Sequence, residues 1–193
     1  VTVGNCEQLF PVRPGSMGRA MPGHRVAVLD YAGEPVVGKV GEIAVKRPDP
    51  VMMLGYWNRP DATEARFRGD WFLTGDLGVE DDDGYLWFRS RTDDVIKSMG
   101  YRIGPGEIEA SLMSHPAVAL CAVVGEADEL RGQVPVAHVV LRAGHGPTDD
   151  LIAELQHHVR TRLAAHEVPR RIVFTEDLPR TSTGKIMRRA LRR

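Results

Sequence analysis

Up to Ser90 the chain is a succession of short apolar runs broken by turn formers. Arg25-Val26-Ala27-Val28-Leu29-Asp30 and Gly41-Glu42-Ile43-Ala44-Val45-Lys46 have strand composition, with Tyr31-Ala32-Gly33-Glu34-Pro35 and Gly38-Lys39 as breakers between them. Asn58-Arg59-Pro60-Asp61-Ala62-Thr63-Glu64 predicts a turn that opens a short helix ending at Gly69. Asp82-Asp83-Gly84 ahead of Tyr85-Leu86-Trp87-Phe88 predicts a hairpin turn running into a strand. Many short strands joined by turns point to a small barrel or sandwich.

Beyond Arg91 the pattern changes. Gly104-Pro105-Gly106 places proline near a helix start, Glu107 and Glu109 fall in its first turn, and Ile108 and Leu112 share a face. His115-Pro116 stops that helix. Residues 118–124 and 134–141 are apolar enough for central strands, although Pro135 belongs at a strand start or an edge. Thr148-Asp149-Asp150 caps a helix whose Leu151, Leu155, Val159 and Leu163 recur every fourth position. Arg171-Ile172-Val173-Phe174 is a further short strand. The expected class is α+β: a β-rich unit over 1–92, then a compact α+β unit over 93–193, divided at Thr92-Asp93-Asp94.

Composition narrows the partners. Apolar residues make up 42% and charged residues 26%, with a net charge of −1, so the whole chain has no bias toward nucleic acid. The charge is uneven, however: from His158 to Arg193 ten Lys and Arg face three Asp and Glu. A basic C-terminal face suits a polyanionic ligand, and a solvated tail explains it nearly as well. Cys6 and Cys121 form no CxxC pair and read as reduced thiols of a cytoplasmic protein. No apolar stretch reaches membrane-spanning length, and no leader pattern is present. The opening Val1-Thr2-Val3-Gly4-Asn5-Cys6 reads as the middle of a longer protein.

Chemistry concentrates in Leu178-Pro179-Arg180-Thr181-Ser182-Thr183-Gly184-Lys185-Ile186-Met187-Arg188-Arg189, which puts one lysine on a glycine-flanked turn before an expected basic helix. An ammonium so placed can reach phosphate and carboxylate oxygens together. Pro179 and Ile186 exclude a Walker loop. Taken alone, the run equally fits an exposed helix start. The histidines show no HExxH or paired-cysteine spacing for zinc, Gly15-Ser16-Met17-Gly18 lacks the spacing of a nucleophile elbow, and Glu80-Asp81-Asp82-Asp83 lacks the EF-hand pattern. No metal ligand set and no prosthetic group is expected.

Three further blocks stand upstream: Trp71-Phe72-Leu73-Thr74-Gly75-Asp76, then Ser90-Arg91-Thr92-Asp93-Asp94-Val95-Ile96-Lys97, then Gly100-Tyr101-Arg102-Ile103 leading to Glu107-Ile108-Glu109. In this order and spacing, together with the lysine run, they resemble the adenylate-forming family of acyl-CoA synthetases, luciferases and peptide-synthetase adenylation domains. The run from Gly4 through Arg19 and the block from Gly100 to Glu109 look most like short- to medium-chain acyl-CoA synthetases. The resemblance covers essentially the whole chain and implies its C-terminal portion: the end of a large N-terminal domain, then a mobile C-terminal domain.

The resemblance also implies roles. Asp76 would grip the ribose hydroxyls of ATP, and Arg91 its ribose and phosphates, with Mg²⁺ accompanying the nucleotide. Lys185 would bridge the attacking carboxylate and the α-phosphate. Met99, Gly100 and Tyr101 would line the channel for the pantetheine arm of CoA, with Arg102 close to the acyl adenylate and Arg131 and Arg160 on CoA phosphates. Asp93 would be the hinge. Without the resemblance, Asp76 is an ordinary turn aspartate, each arginine a surface charge, and Asp93-Asp94 a cap. Serine at 90, where the family usually has glycine, is the one departure noted.

The implied reaction joins a small carboxylic acid, ATP and CoA through an acyl-AMP, and it needs an upstream domain of the same protein. The glycine-rich phosphate loop, the motif ending in Thr-Glu, and most of the acyl pocket lie outside this sequence, so these residues alone are expected to be inactive. An adenylation domain that loads a carrier protein, and a non-catalytic CoA- or partner-binding module, are the alternatives. Lys185 is also a candidate target for a regulatory lysine acyltransferase.

Overall fold

A computed structural model describes residues 2–192, and the backbone divides into two units, Val1–Asp93 and Asp94–Arg193. The class is α+β: a sheet-rich unit is followed by one that mixes sheet and helix.

In the first unit β1 (Val3–Gly4) and β2 (Arg19–Ala20) form a small ribbon. Five antiparallel strands make the main sheet: β3 (Val26–Leu29), β4 (Gly41–Lys46), β5 (Phe67–Arg68), β6 (Trp71–Glu80) and β7 (Leu86–Arg91). β6 organises them, pairing with β4 on one edge and with β5 near its start and β7 near its end on the other. The two-residue period of a strand sends Ala27, Leu29 and Ala44 to one face and Val28, Ile43 and Leu86 to the other. Both faces are covered, the first by Trp71 and Leu73 and the second by Val3, Met17 and Val36. That is why β3 and β4 read as nearly continuous apolar runs.

The short helix α1 (Pro60–Glu64) begins with proline at its first turn but does not reach Gly69 as expected. The chain turns back instead, because Gly69, at φ 56°, lets Phe67-Arg68 pair with Phe72 and Trp71 across a two-residue loop.

The second unit contains β8 (Ile96–Ser98), β9 (Tyr101–Ile103), α2 (Pro105–Met113), β10 (Val118–Asp128), β11 (Gly132–Leu141), α3 (Asp149–Arg160) and β12 (Arg171–Phe174). β10 and β11 form a long antiparallel hairpin, β12 runs parallel along the other edge of β11, and β8 joins β11 at the pair Ser98–Gly132. Ile108 and Leu112 of α2 and Leu151, Leu155 and Val159 of α3 close one core with Val123, Val139 and Ile172. The Thr148 hydroxyl accepts the Leu151 amide at 3.2 Å, so the expected cap forms.

Two expectations need correction. Pro135 is neither at a strand start nor on an edge: β11 begins at Gly132, and Pro135 lies opposite Gly125. Its place is tolerable because β12 pairs only from Val136 onward, and the Pro135 carbonyl still accepts the Arg170 amide at 2.9 Å. The basic segment after Lys185 forms one 3-10 turn, Arg188–Ala190, rather than a helix. Arg188 and Arg192 of this segment are spent on ion pairs described below.

Cys6 is half-buried and Cys121 buried, and neither is bridged. Burial, then the neighbouring Glu109 charge, pushes the Cys121 thiol up to about 12. A thiol reagent should therefore titrate Cys6 alone in the native protein and both cysteines after denaturation; two fast-reacting native thiols would contradict this burial. Among the described residues no helix is long and apolar enough to cross a membrane.

Candidate active site

The first group of candidate residues sits where β6 leaves regular pairing. Between Glu42–Leu77 and Ala44–Leu73 the strand β6 takes four residues where β4 takes two, so Thr74-Gly75-Asp76 bulges from the ladder. Side chains hold the bulge. The Thr74 hydroxyl donates to the Ile43 carbonyl at 2.7 Å and accepts the Asp76 amide at 3.1 Å. Glu42 Oε1 accepts the Gly75 amide at 3.0 Å, and the Gly75 carbonyl takes the Thr92 amide at 2.9 Å. Glycine at 75 is set by its φ of 78°; a Cβ there would also stand 3.0 Å from Arg91 Nη2 and 3.1 Å from Arg66 Nη1, so those flexible side-chain ends would have to shift slightly.

This bulge delivers Asp76 to its cross-strand partner. Arg91 Nη1 donates to Asp76 Oδ1 at 2.7 Å, and Arg91 Nε lies 3.5 Å from Asp93 Oδ1. Burial opposes the Arg91 charge, but the hydrogen bond and charge of Asp76, then of Asp93, outweigh it and leave its pKa above the ordinary value. Asp76, Arg91 and Asp93 are thus brought together, with Asp76 in a strand rather than in a turn. Both members of the pair keep partial exposure, at 29% and 40% of their side chains. One carboxylate and one guanidinium, pre-oriented and open to solvent, can accept from hydroxyls and donate to phosphate oxygens side by side. Ser90 is buried in β7 opposite Leu77, where its small side chain fits the second irregularity of the β6 pairing.

The second group lies in the unit Asp94–Arg193. Met99 at φ 48° and Gly100 at φ 85° are the central residues of the β8–β9 turn, the combination a two-residue hairpin loop requires. Met99 and Tyr101 are exposed. The Met99 amide donates to the Arg131 carbonyl at 3.0 Å, and Asp128 Oδ1 holds the Leu130 and Arg131 amides, so the turns around Gly100 and Arg131 are tied together. Arg102 is exposed on β9, and Arg160 is the exposed last residue of α3.

Lys185 stands at the end of a closed turn. The Thr181 amide donates to the Lys185 carbonyl at 2.8 Å, the Lys185 amide to Thr181 Oγ1 at 3.1 Å, and the Gly184 amide to the Thr181 carbonyl at 2.9 Å. Gly184, at φ 82°, makes the reversal. The lysine side chain is exposed, and no ion pair among the described residues engages it. Its ammonium is therefore presented rather than consumed. No contact among the described residues links the side chains of Lys185, Arg131 and Arg160 to one another.

Residues 107–185 match the AMP-binding enzyme C-terminal domain. An uncharacterized acyl-CoA ligase of Bacillus subtilis is 45% identical over 95% of this chain and 35% of its own length. Acetyl-coenzyme A synthetase of the same organism is 43% identical over 94% of this chain and 32% of its own. Among solved structures, an anthranilate CoA ligase in complex with anthranoyl-AMP superposes with a TM-score of 0.86 at 35% identity, covering 99% of this chain and 36% of that one. The chain is a homologue of the C-terminal third of acyl-CoA synthetases. It spans about a third of the length of the curated relatives it matches.

Within this synthetase homologue several residues went unread in the sequence. Glu109 resembles any first-turn acid, yet it is 8% exposed and holds Arg188, from far along the chain, by two hydrogen bonds. Tyr101 stacks on His166, with centroids 3.9 Å apart and planes 12° apart, a pairing no local pattern announces. Glu42, within a segment read only as a strand, accepts the Gly75 amide and so supports the bulge. Among the described residues, no group of three or more His, Cys, Asp and Glu could hold a metal ion.

Proposed function

We propose that this chain forms the C-terminal part of an ATP-dependent acyl-CoA synthetase, joining a small carboxylic acid to CoA through an acyl-adenylate. The observation that carries the reading is the Asp76–Arg91 pair, held open across the β6 bulge in a chain homologous to named acyl-CoA synthetases. In the first step the carboxylate attacks the α-phosphate of ATP and pyrophosphate leaves. In the second the CoA thiol attacks the acyl carbon and AMP leaves.

Asp76 takes the ribose hydroxyls and Arg91 the adjoining phosphate oxygens. Lys185 supplies positive charge between carboxylate and α-phosphate, where anionic oxygens crowd in the transition state. Met99, Gly100 and Tyr101 line the path of the CoA arm, with Arg102 near the adenylate and Arg131 and Arg160 on CoA phosphates. Lys185 and Gly100 serve different steps from the same unit, and Asp93 is the hinge on which that unit presents each in turn. Mg²⁺ would come with the ATP phosphates and would supply neutralising charge there. The exposed Lys185, which no ion pair among the described residues engages, is also open to an acyltransferase, and acylation would neutralise the charge on which adenylation depends.

The test is acid-dependent ATP–pyrophosphate exchange and CoA-dependent AMP release by the full-length protein, over acids of graded chain length and aromatic acids. Exchange with no acid would overturn the reading. Exchange with transfer to a carrier-protein arm but not to CoA would favour an adenylation domain of that type. The 193-residue chain alone is expected to show no exchange. In the full-length enzyme, Asp76→Asn should raise KM for ATP about tenfold or more, the size of a lost charge-assisted hydrogen bond. An unchanged KM would remove Asp76 from the nucleotide site.

A further inference from the structure

We infer that Arg188 is a positioning residue for Lys185, a role that rests on the proposed adenylation chemistry. The lysine turn is closed by its own backbone, and among the described residues its ammonium has no partner to set its direction. Where the ammonium points is therefore decided by how the two arms of the turn are fixed to the rest of the unit. One arm is anchored by Leu178, which is 2% exposed. The arms meet through the Arg180–Ile186 bridge and the Met187 amide, which donates to the Pro179 carbonyl at 2.8 Å. The other arm runs directly into Arg188.

Arg188 is fixed by three hydrogen bonds to two carboxylates. Its Nε donates to Glu109 Oε1 at 3.0 Å and its Nη2 to Glu109 Oε2 at 2.8 Å, the two-pronged pairing that constrains a guanidinium in angle as well as distance. Its Nη1 donates to Asp94 Oδ2 at 3.2 Å. Glu109 in turn is fixed by the Val123 amide on β10, at 2.9 Å, so it cannot follow the arginine. Asp94 is also held by Arg192, at 2.8 Å. The clamp joins α2, β10 and the first residue of the unit to the arm that carries Lys185. A planar fork is needed for this geometry, and an ammonium cannot supply it.

The experiment uses the full-length enzyme and measures its two half-reactions separately: acid-dependent pyrophosphate exchange, and thioester formation from supplied acyl-AMP. Arg188→Lys keeps the charge and loses the fork; Arg188→Met loses both. Exchange should fall roughly 10-fold in the first and roughly 100-fold in the second, the scale of a misplaced catalytic group. Thioester formation should stay within about threefold in any variant whose melting curve shows it folded. If Arg188→Met fails to fold, Arg188→Lys carries the test. Unchanged exchange in a folded variant, or equal loss of both half-reactions, would overturn the positioning role. Lys185→Ala, run in parallel, separates the two levels: if it leaves exchange intact, the reading of Lys185 fails first. If it abolishes exchange while the Arg188 variants do not, only the clamp is wrong.

Discussion

Lys185→Ala in the full-length enzyme should lower acid-dependent pyrophosphate exchange by roughly 100- to 1000-fold, while thioester formation from supplied acyl-AMP continues. The size follows from where the charge acts. Carboxylate and α-phosphate oxygens are both anionic, and bringing them together costs most when they crowd in the transition state. An ammonium aimed at that point from a water-poor site is worth several kcal/mol. The turn is suited to this because Lys185 spends its charge on no carboxylate among the described residues. The asymmetry between half-reactions is the sharper readout, since a folding defect lowers both. Equal loss of both steps would refute the division of labour, and unchanged exchange would refute the role of Lys185.

Glu109→Ala is expected to destabilise the unit Asp94–Arg193 by about 3–5 kcal/mol, because it removes the two-pronged partner of a largely buried charge and leaves it Asp94 alone. The carboxylate accepts both Arg188 prongs and the Val123 amide, so its loss leaves two guanidinium donors and a backbone donor unsatisfied together. Burial opposes the Arg188 charge, but the hydrogen bond of Glu109, then its charge and Asp94, hold that guanidinium's pKa above its ordinary value. Urea unfolding of the full-length protein, followed by a probe in this unit, measures the cost. Glu107→Ala, at an exposed site in the same helical turn, should stay within about 0.5 kcal/mol of the parent. Glu109→Leu combined with Arg188→Met should recover part of the loss, because it removes the stranded guanidinium and leaves the Val123 amide as the donor without its acceptor. A Glu109→Ala protein within about 1 kcal/mol of the parent would show that the pair is solvated.

The contrast between those two glutamates shows where sequence reading stops. Glu107 and Glu109 sit two residues apart at a helix start, where any acid is favourable to the helix dipole, and nothing local separates the exposed one from the buried one. The difference is made by Arg188, whose run looked like a basic helix because its partners were out of view. What was readable was local: Thr148 capping α3, proline at the start of α2, the alternation in β3 and β4, and the turn at Gly100. Asp76, Arg91 and Lys185 were readable as a set only through the order of their surrounding blocks. The bulge that aims Asp76 was not readable, because it depends on Glu42 and Ile43 from another strand.

The hydrophobic clusters have a bearing on how such a chain diversifies. The buried residues of the cluster in the second unit come from between Ile96 and Ile172, and those of the first unit from its own strands. The clusters of the two units have no residue in common, so substitutions in different units should have additive effects on stability. A lineage can then accumulate core substitutions in one unit at a time, each tolerated or purged by the packing of its own cluster.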